Sequence, residues 1–404
     1  MQKAQFLHRV VLKNYKSIAA CDVQLQPLTF LVGANGAGKS NFLDALRFVS
    51  DALRTTLDHA LRDRGGIKEV RRRSSGHPTH FGIRLEFTLR DGTTGSYAFE
   101  VGALPNGGYE VQTEECQVTK GPRGRPEYFQ VRRGTVQSSV QAAPAASGDR
   151  LYLVNASGLP EFRPVYEAFS RMGFYNLNPE SIRDLQPSDP GELLARDGSN
   201  IASVLSQMDL HNPTMKKRIE EYLAKVAPGI QGIDVKALGS KDTLEFRQAV
   251  KGSDHPWRFL AANMSDGTLR ALGILVALLQ SPNGNHAWIP LVGIEEPEVA
   301  LHPGAAGVLR DSLRDASQVR QIVVTSHSPD LLDDESLDSN SILVVIADHG
   351  TTKVGPLDQV GRNALHSHLY TAGELLRLSQ LEPDPDALQR AASMQLSLLD
   401  ESSA

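Results

Sequence analysis

The sequence predicts an α/β fold: a mixed sheet around a phosphate loop, an antiparallel β lobe, and an inserted helical lobe. Three observations predict it. The stretch Gly33-Ala34-Asn35-Gly36-Ala37-Gly38-Lys39-Ser40-Asn41 fits the pattern G-x-x-x-x-G-K-[ST], with the apolar run Leu28–Val32 before it and helical periodicity after it. Two later apolar runs end in chemistry-bearing residues: Ile289–Ile294 in Glu295-Glu296-Pro297-Glu298, and Gln321–Ser326 in His327-Ser328-Pro329. Between the first run and the other two, alternating strand-like segments give way to a polar helical block.

Along the chain, two strands, Leu7–Leu12 and Cys21–Leu25, precede the loop strand, and one helix is expected from about Asn41 to Leu61. His80–Leu89 alternates apolar and polar residues as a half-buried strand does, Asp91-Gly92 supplies a hairpin turn, and Ser96–Val101 returns. Strand-like segments continue to about Leu153, and residues 136–149 read as a surface loop. From about 160 to 228 the pattern is helical, most clearly over Met215–Val226. Domain boundaries follow: 1–155 and 231–380 as the two halves of the nucleotide domain, 156–230 as the inserted helical lobe, and 381–404 as a flexible tail.

Composition bounds the function. A chain of 404 residues buries a sizeable core, and 40% hydrophobic with 22% charged residues is ordinary for a soluble globular protein. A formal charge of −5 argues against a protein that coats nucleic acid over its whole surface, while leaving room for a local basic patch. Cys21 and Cys116, without paired spacing, supply neither a disulfide framework nor a zinc site, and a reducing cytoplasm is the expected compartment. The N-terminus has no apolar stretch of the kind a secretion signal needs, and the apolar run Ala271–Leu279 is too short to cross a bilayer.

The glycines of the loop let backbone N–H groups converge on phosphate oxygens at a helix N-terminus, so the chain is expected to bind a nucleoside triphosphate. Lys39 reaches the β- and γ-phosphates and Ser40 ligates Mg²⁺. Glu295 binds the metal directly or through water, and Glu296 orients or deprotonates the attacking water. His327 contacts the γ-phosphate. Ser265-Asp266-Gly267 opens an apolar helix and offers a hydroxyl and free N–H groups to an anion.

In this order the motifs resemble the ATP-binding-cassette heads of the SMC, RecF and OLD ATPases, and most nearly the bacterial stand-alone ATPases related to RecF and OLD. The resemblance spans about residues 5–375. It implies a P-loop NTPase with ABC-ATPase-head architecture and slow, Mg²⁺-dependent hydrolysis of ATP. Leu12-Lys-Asn-Tyr-Lys16-Ser17 looks like the segment whose basic residue, here Lys16, touches the nucleotide. Ser265, Asp266 and Gly267 sit where the signature begins, which implies that they complete a partner's site in a homodimer bridged by two ATP molecules. Leu301-His-Pro303 looks like the D-loop and His327 like the switch histidine. Three features depart from the pattern: Glu295 stands where most relatives carry Asp, the signature lacks a second glycine, and no glutamine loop is evident. The segment after His327 is too short for the nuclease domain of OLD enzymes, so no DNA cleavage is expected.

Two basic clusters are candidates for DNA phosphates: Arg62, Arg64, Lys68, Arg71, Arg72 and Arg73, and then Lys120, Arg123, Arg125, Arg132 and Arg133. No aromatic residue interleaves Arg71–Arg73, so sequence-specific stacking is not expected. Gln395-Leu396-Ser397-Leu398-Leu399 resembles a sliding-clamp docking peptide, though without the final aromatic. Two functions compete: an ATPase whose dimer acts on DNA in repair or anti-phage defence, and a regulatory subunit that controls a separate effector, such as a nuclease or toxin. The acids and the switch histidine argue against a membrane-transporter subunit.

Overall fold

The computed structural model describes residues 5–74, 78–121, 123–140, 143–280 and 288–393. Strands β1 (Leu7–Tyr15), β2 (Ile18–Gln24) and β3 (Leu28–Val32) lead through the glycine loop into α1 (Lys39–Arg54), α2 (Leu57–Arg62) and α3 (Ile67–Val70). Five strands follow: β4 (His80–Thr88), β5 (Thr93–Ala103), β6 (Tyr109–Lys120), β7 (Pro126–Arg132) and β8 (Thr135–Ser138). Next come α4 (Tyr152–Ala156), α5 (Arg163–Ser170), β9 (Gly173–Tyr175), α6 (Pro179–Arg183), β10 (Gln186–Pro187), α7 (Ile201–His211) and α8 (Pro213–Val226). Strands β11 (Ile230–Leu238), β12 (Lys241–Gln248) and β13 (Trp257–Leu260) precede α9 (Asp266–Leu279). Then β14 (Leu291–Glu295), α10 (Ala306–Ser317), β15 (Gln321–Ser326), β16 (Ile342–Asp348) and β17 (Thr351–Pro356) follow, and the last described helix is Pro385–Ser393.

One sheet of thirteen strands runs β8-β7-β6-β5-β4-β1-β2-β17-β16-β3-β15-β14-β9. The strands β16, β3, β15, β14 and β9 are parallel to one another, whereas β1 and β4 to β8 pair antiparallel. The sequence separates the two regions for a physical reason. A parallel strand buried on both faces reads as a continuous apolar run, and β15 is buried at every residue. A strand with one core face alternates, and β4 turns Phe81, Ile83, Leu85 and Phe87 into the core.

The two faces of the parallel strands belong to different cores. Leu31, Val323 and Leu291 pack toward α1 and the β lobe, where Phe169 meets Phe6 and Phe87 at 5.3 and 5.2 Å between ring centroids. Their neighbours Phe30, Val32, Val324 and Ile294 pack toward α9. A smaller sheet of β10, β12, β11 and β13 sits against α7 and α8.

Several expectations need correction. The helix expected over Asn41–Leu61 breaks at Thr55-Thr56, because Thr55 folds its hydroxyl back onto Asp51 O (2.8 Å) and extended Thr56 caps α2 by accepting from His59 N (3.0 Å). The block 156–230 is not wholly helical: β9 within it is an edge strand of the main sheet. The loop expected over 136–149 begins as strand β8, and Val136, Val140 and Ala146 pack on the core. The tail expected to lose order from 381 continues as the helix Pro385–Ser393, which Asp384 caps through the N–H groups of Asp386 and Ala387. Gln395–Leu399 lie outside the described residues.

Glu114 ties the β lobe to the helices. It is fully buried in β6 and accepts from Tyr97 Oη (3.0 Å), Leu153 N (2.8 Å) and Tyr152 N. Burial dominates its titration and raises its pKa to about 7, against the three hydrogen bonds that favour the carboxylate. The folded state therefore keeps a proton that the unfolded chain releases above its ordinary value near 4.5, and stability is lost as pH rises from there to about 7. The expected loss across that window is about 3 kcal/mol. Urea unfolding at pH 5 and pH 8 measures it, and the Glu114→Gln protein should lack this component of the pH dependence.

Candidate nucleotide site

The geometry of the site follows from strand register. In the parallel strands Val32 pairs with Ser326, Thr325 with Glu295, and Ile294 with Tyr175. The residues that follow them, Gly33, His327, Glu296 and Asn176, therefore emerge side by side at one edge of the sheet. The C-terminal ends of parallel strands are where an open α/β sheet leaves a crevice for ligands.

The loop is built for close approach. A Cβ on Gly33 would lie 2.0 Å from Val345 O, and Gly38, at φ +101°, would drive one to 2.0 Å from Thr352 Oγ1. Ala34, Asn35, Gly36 and the Ser40 hydroxyl face solvent at the start of the 16-residue α1. Lys39 is buried, and its ammonium donates to Gly33 O (2.9 Å) and Ala34 O (3.1 Å). Burial holds its pKa below the ordinary lysine value, while Glu296, 3.7 Å away, opposes that shift. Thr352 of β17 braces the loop from behind by donating to Ala37 O (2.9 Å), and Ser17 joins it to Asn41.

The acids form the opposite wall. Glu296 adopts the left-handed region, φ +43°, which is unfavourable for a residue with a Cβ. It is held there by its N–H donating to Thr325 O (3.0 Å) and Oγ1 (3.1 Å). Buried Arg270 grips the same turn, donating to Glu296 O (3.1 Å), Glu295 O (3.4 Å) and Leu177 O (2.6 Å). The Glu296 carboxylate lies 3.3 Å from His327 Nδ1. Glu298 Oε1 accepts from Ser326 Oγ (2.7 Å) and His327 N (3.1 Å), whereas its Oε2 is buried with no hydrogen-bond partner among the described residues. Glu295 is paired with Arg196 Nη2 at 2.6 Å.

Oxygen groups available at this edge are the exposed Ser40 hydroxyl and the carboxylates of Glu295 and Glu298, the Oε2 of Glu298 being an orphan, beside the His327 ring nitrogen 3.6 Å from Glu298 Oε1. That oxygen set fits a hard divalent cation such as Mg²⁺.

Ser265 caps α9 by accepting from Thr268 N (3.3 Å), and Asp266 is bound by Arg183. Gly267 leaves no space for a Cβ, which would lie 2.6 Å from Ala300 O in the turn after the acids. Lys16, also left-handed at φ +48°, spends its ammonium on Asp44 at 2.6 Å.

The basic candidates separate. Arg64 is removed from the DNA set: its side chain is 2% exposed, paired with Asp44 (3.0 Å) and Asp51 (2.9 Å) and stacked over Phe48. Arg62 is paired with Asp58 (2.8 Å) and Arg73 with Glu69. Lys68, Arg71, Arg72 and Arg73 line a cavity of about 350 Å³. Their contacts place them near the glycine loop, because Arg71 bridges to Tyr15 and Arg72 donates to Thr351 Oγ1 (2.8 Å), next to the Thr352 that braces the loop. Exposed Lys120, Arg123 and Arg125 lie at the opposite end of the antiparallel strands, where Lys120 pairs with Thr93. Arg132 and Arg133, exposed at the turn between β7 and β8, stand apart from both groups.

Five site residues escape the sequence reading as functional groups: Arg196, Arg270, Thr352, Glu298 and Asn176. Glu298 and Arg270 lie inside the motifs themselves, which is a usable signal. The other three reach the crevice only through chain folding, and Asn176, exposed just beyond β9, takes the place beside Glu295 where no polar residue is evident from sequence.

Comparison with known proteins places the chain in a family and a fold. A family model described as "AAA domain, putative AbiEii toxin, Type IV TA system" matches residues 28–131 and 146–333. Structural maintenance of chromosomes protein 1 of Schizosaccharomyces pombe is 32% identical over 122 residues, covering 28% of this chain and 10% of that protein. The chain thus spans about a tenth of the length of that relative. Among solved structures, an SmcHead bound to the C-winged helix domain of ScpA superposes with a TM-score of 0.54 at 16% identity, covering 86% of this chain and 97% of that one. A Pyrococcus furiosus Smc head with an extended coiled coil, bound to the C-terminal domain of ScpA, gives 0.53 at 14% identity, covering 90% and 99%. At these identities the likeness is one of fold. No helix among the described residues is long and apolar enough to cross a membrane.

Proposed function

This chain belongs to that AAA-domain family, as an ATPase with the architecture of an SMC head, and from that premise we propose that it hydrolyses ATP in a dimer that acts on DNA. The observation that carries the hydrolytic reading is the convergence of Lys39, Glu296 and His327 at one sheet edge. Lys39, dehydrated and held by two carbonyls, transfers its donors to the β- and γ-phosphates when ATP enters. Glu296, fixed by Thr325 and Arg270, accepts a proton from the attacking water or orients it, and His327 senses the γ-phosphate. Ser40 and Glu295 are the residues to hold Mg²⁺, which when bound supplies charge neutralisation at the phosphates.

Ser265 and Gly267, at the N-terminus of the 14-residue α9, are suited to complete a second copy's site with a hydroxyl and helix N–H groups, so that ATP joins two copies head to tail. Lys68, Arg71, Arg72 and Arg73 are the cations that support contact with duplex phosphates, because they adjoin the nucleotide end of the sheet. The test is ATP turnover with and without linear duplex DNA at low salt. Turnover should rise with DNA, and the rise should be lost on adding salt and in an Arg71→Ala, Arg73→Ala double variant. Turnover indifferent to DNA would sink the DNA reading.

One observation favours a second reading, an ATPase that governs a separate effector protein: the family's description names a toxin and a toxin–antitoxin system. Stable co-purification with an unrelated protein, without DNA stimulation, is its expected signature. A cytoplasmic location belongs to both readings. Docking of Gln395–Leu399 on a sliding clamp is a separate proposal, tested by deleting those five residues and measuring clamp binding.

A further inference from the structure

Glu295, the acid assigned above to the metal, is already engaged: Arg196 Nη2 lies 2.6 Å from its Oε1. The pair comes from two different parts of the chain. Glu295 ends β14, while Arg196 sits in the loop before α7 that reaches across the end of β9. The backbone of that loop is pinned. Arg196 O accepts from Asn176 N (2.9 Å), Asp197 O from Asn178 N (3.0 Å), and Ala195 N donates to Asn200 Oδ1 (2.7 Å). The Arg196 side chain is not pinned: it is 46% exposed and touches Glu295 through one nitrogen. It also lines a cleft of about 440 Å³ whose wall carries Asp63, and Asp51 already paired with Arg47, Arg54 and Arg64. Asp63 is exposed, and its one recorded ion pair among the described residues is with His59, at 3.1 Å.

We propose that Arg196 is a displaceable counter-ion for Glu295: it neutralises the carboxylate in the absence of a divalent cation and withdraws toward Asp63 when one binds. The inference rests on the reading of Glu295 as a metal ligand. Arg196 engages only Oε1 of Glu295, and a guanidinium and a divalent cation held on the same carboxylate repel each other, so each weakens the other's hold. A half-exposed ion pair contributes little to stability, so its loss leaves the fold intact.

The test uses the full chain and a fluorescent ATP analogue, titrated with Mg²⁺ and followed by binding rather than turnover. Arg196→Ala should lower the Mg²⁺ midpoint about three- to tenfold. Binding of the analogue in EDTA should match wild type. In a Glu295→Gln background the same substitution should shift nothing, and Arg196→Lys, which keeps the cation on a shorter stem, should shift the midpoint less than Arg196→Ala. An unchanged or raised midpoint in Arg196→Ala overturns the proposal. So does weakened binding in EDTA, which would make Arg196 a phosphate ligand. Failure of the wild-type chain to bind the analogue at any Mg²⁺ level is a different result, because it removes the ATPase reading and this inference with it.

Discussion

Glu296→Gln is expected to lower ATP turnover by about 10²- to 10⁴-fold while leaving ATP binding intact. The amide keeps the size of the side chain and its place in the left-handed turn, but accepts no proton from water and carries no charge opposite Lys39. The turn is secured by backbone contacts to Thr325 and Arg270, which the substitution does not touch. Binding of a fluorescent ATP analogue and steady-state phosphate release, measured side by side, separate the two quantities. If the dimer reading holds, ATP should also accumulate dimer in this variant, visible by size-exclusion chromatography. Wild-type turnover in Glu296→Gln would remove Glu296 from the chemistry and leave the crevice without an assigned base.

Arg270→Ala is expected to cost about 3–5 kcal/mol of stability and to depress turnover in whatever protein remains folded. Its guanidinium satisfies three carbonyls, those of Leu177, Glu295 and Glu296, in a region too buried for bulk water to replace it. Burial also pushes its pKa below the usual arginine value, against the pull of Glu298, Glu296 and Glu295. Without it, three acids converge with one fewer cation among them, and the strained backbone of Glu296 loses a restraint. Urea unfolding measures the first effect. The ratio of turnover in Arg270→Ala to that in Arg270→Lys measures the second, because lysine restores charge without the planar reach to three acceptors. A variant as stable as wild type would show that the carbonyls find other partners.

Much of the site is legible in the sequence because its signals are local. The glycine loop needs two glycines, a lysine and a hydroxyl residue at fixed spacing, since backbone N–H groups must converge within one turn of a helix start. Glu295 and Glu296 follow an apolar strand directly, and His327 follows another. The helix break at Thr55-Thr56 was also open to a local reading, because two β-branched hydroxyl residues compete with the helix backbone. The helical expectation fails there because apolar periodicity carries through the break, with Leu53, Leu57, Ala60 and Leu61 all buried.

The basic residues teach a different lesson. Arg64 and Arg71 are indistinguishable in sequence, both lying in one short positive run. Folding sends Arg64 beneath α1 to Asp44 and Asp51, and leaves Arg71 lining a cavity. Charge composition does not encode which of two neighbouring arginines meets acids 13 and 20 residues away, as Arg64 does.

By itself, then, the sequence determined the α/β class, the nucleotide loop, the acids and the histidine, since each is a pattern of adjacent residues imposed by backbone geometry. Tertiary structure decided the rest. Only the parallel register of β3, β15, β14 and β9 sets Gly33, His327, Glu296 and Asn176 in one row. Only the crossing of the pre-α7 loop over β9 brings Arg196 onto Glu295. Only the return of β17 to β2 puts Thr352 behind the phosphate loop. These contacts join residues separated by about a hundred to more than three hundred positions, and a side chain's partner at such a distance is fixed by how the sheet closes.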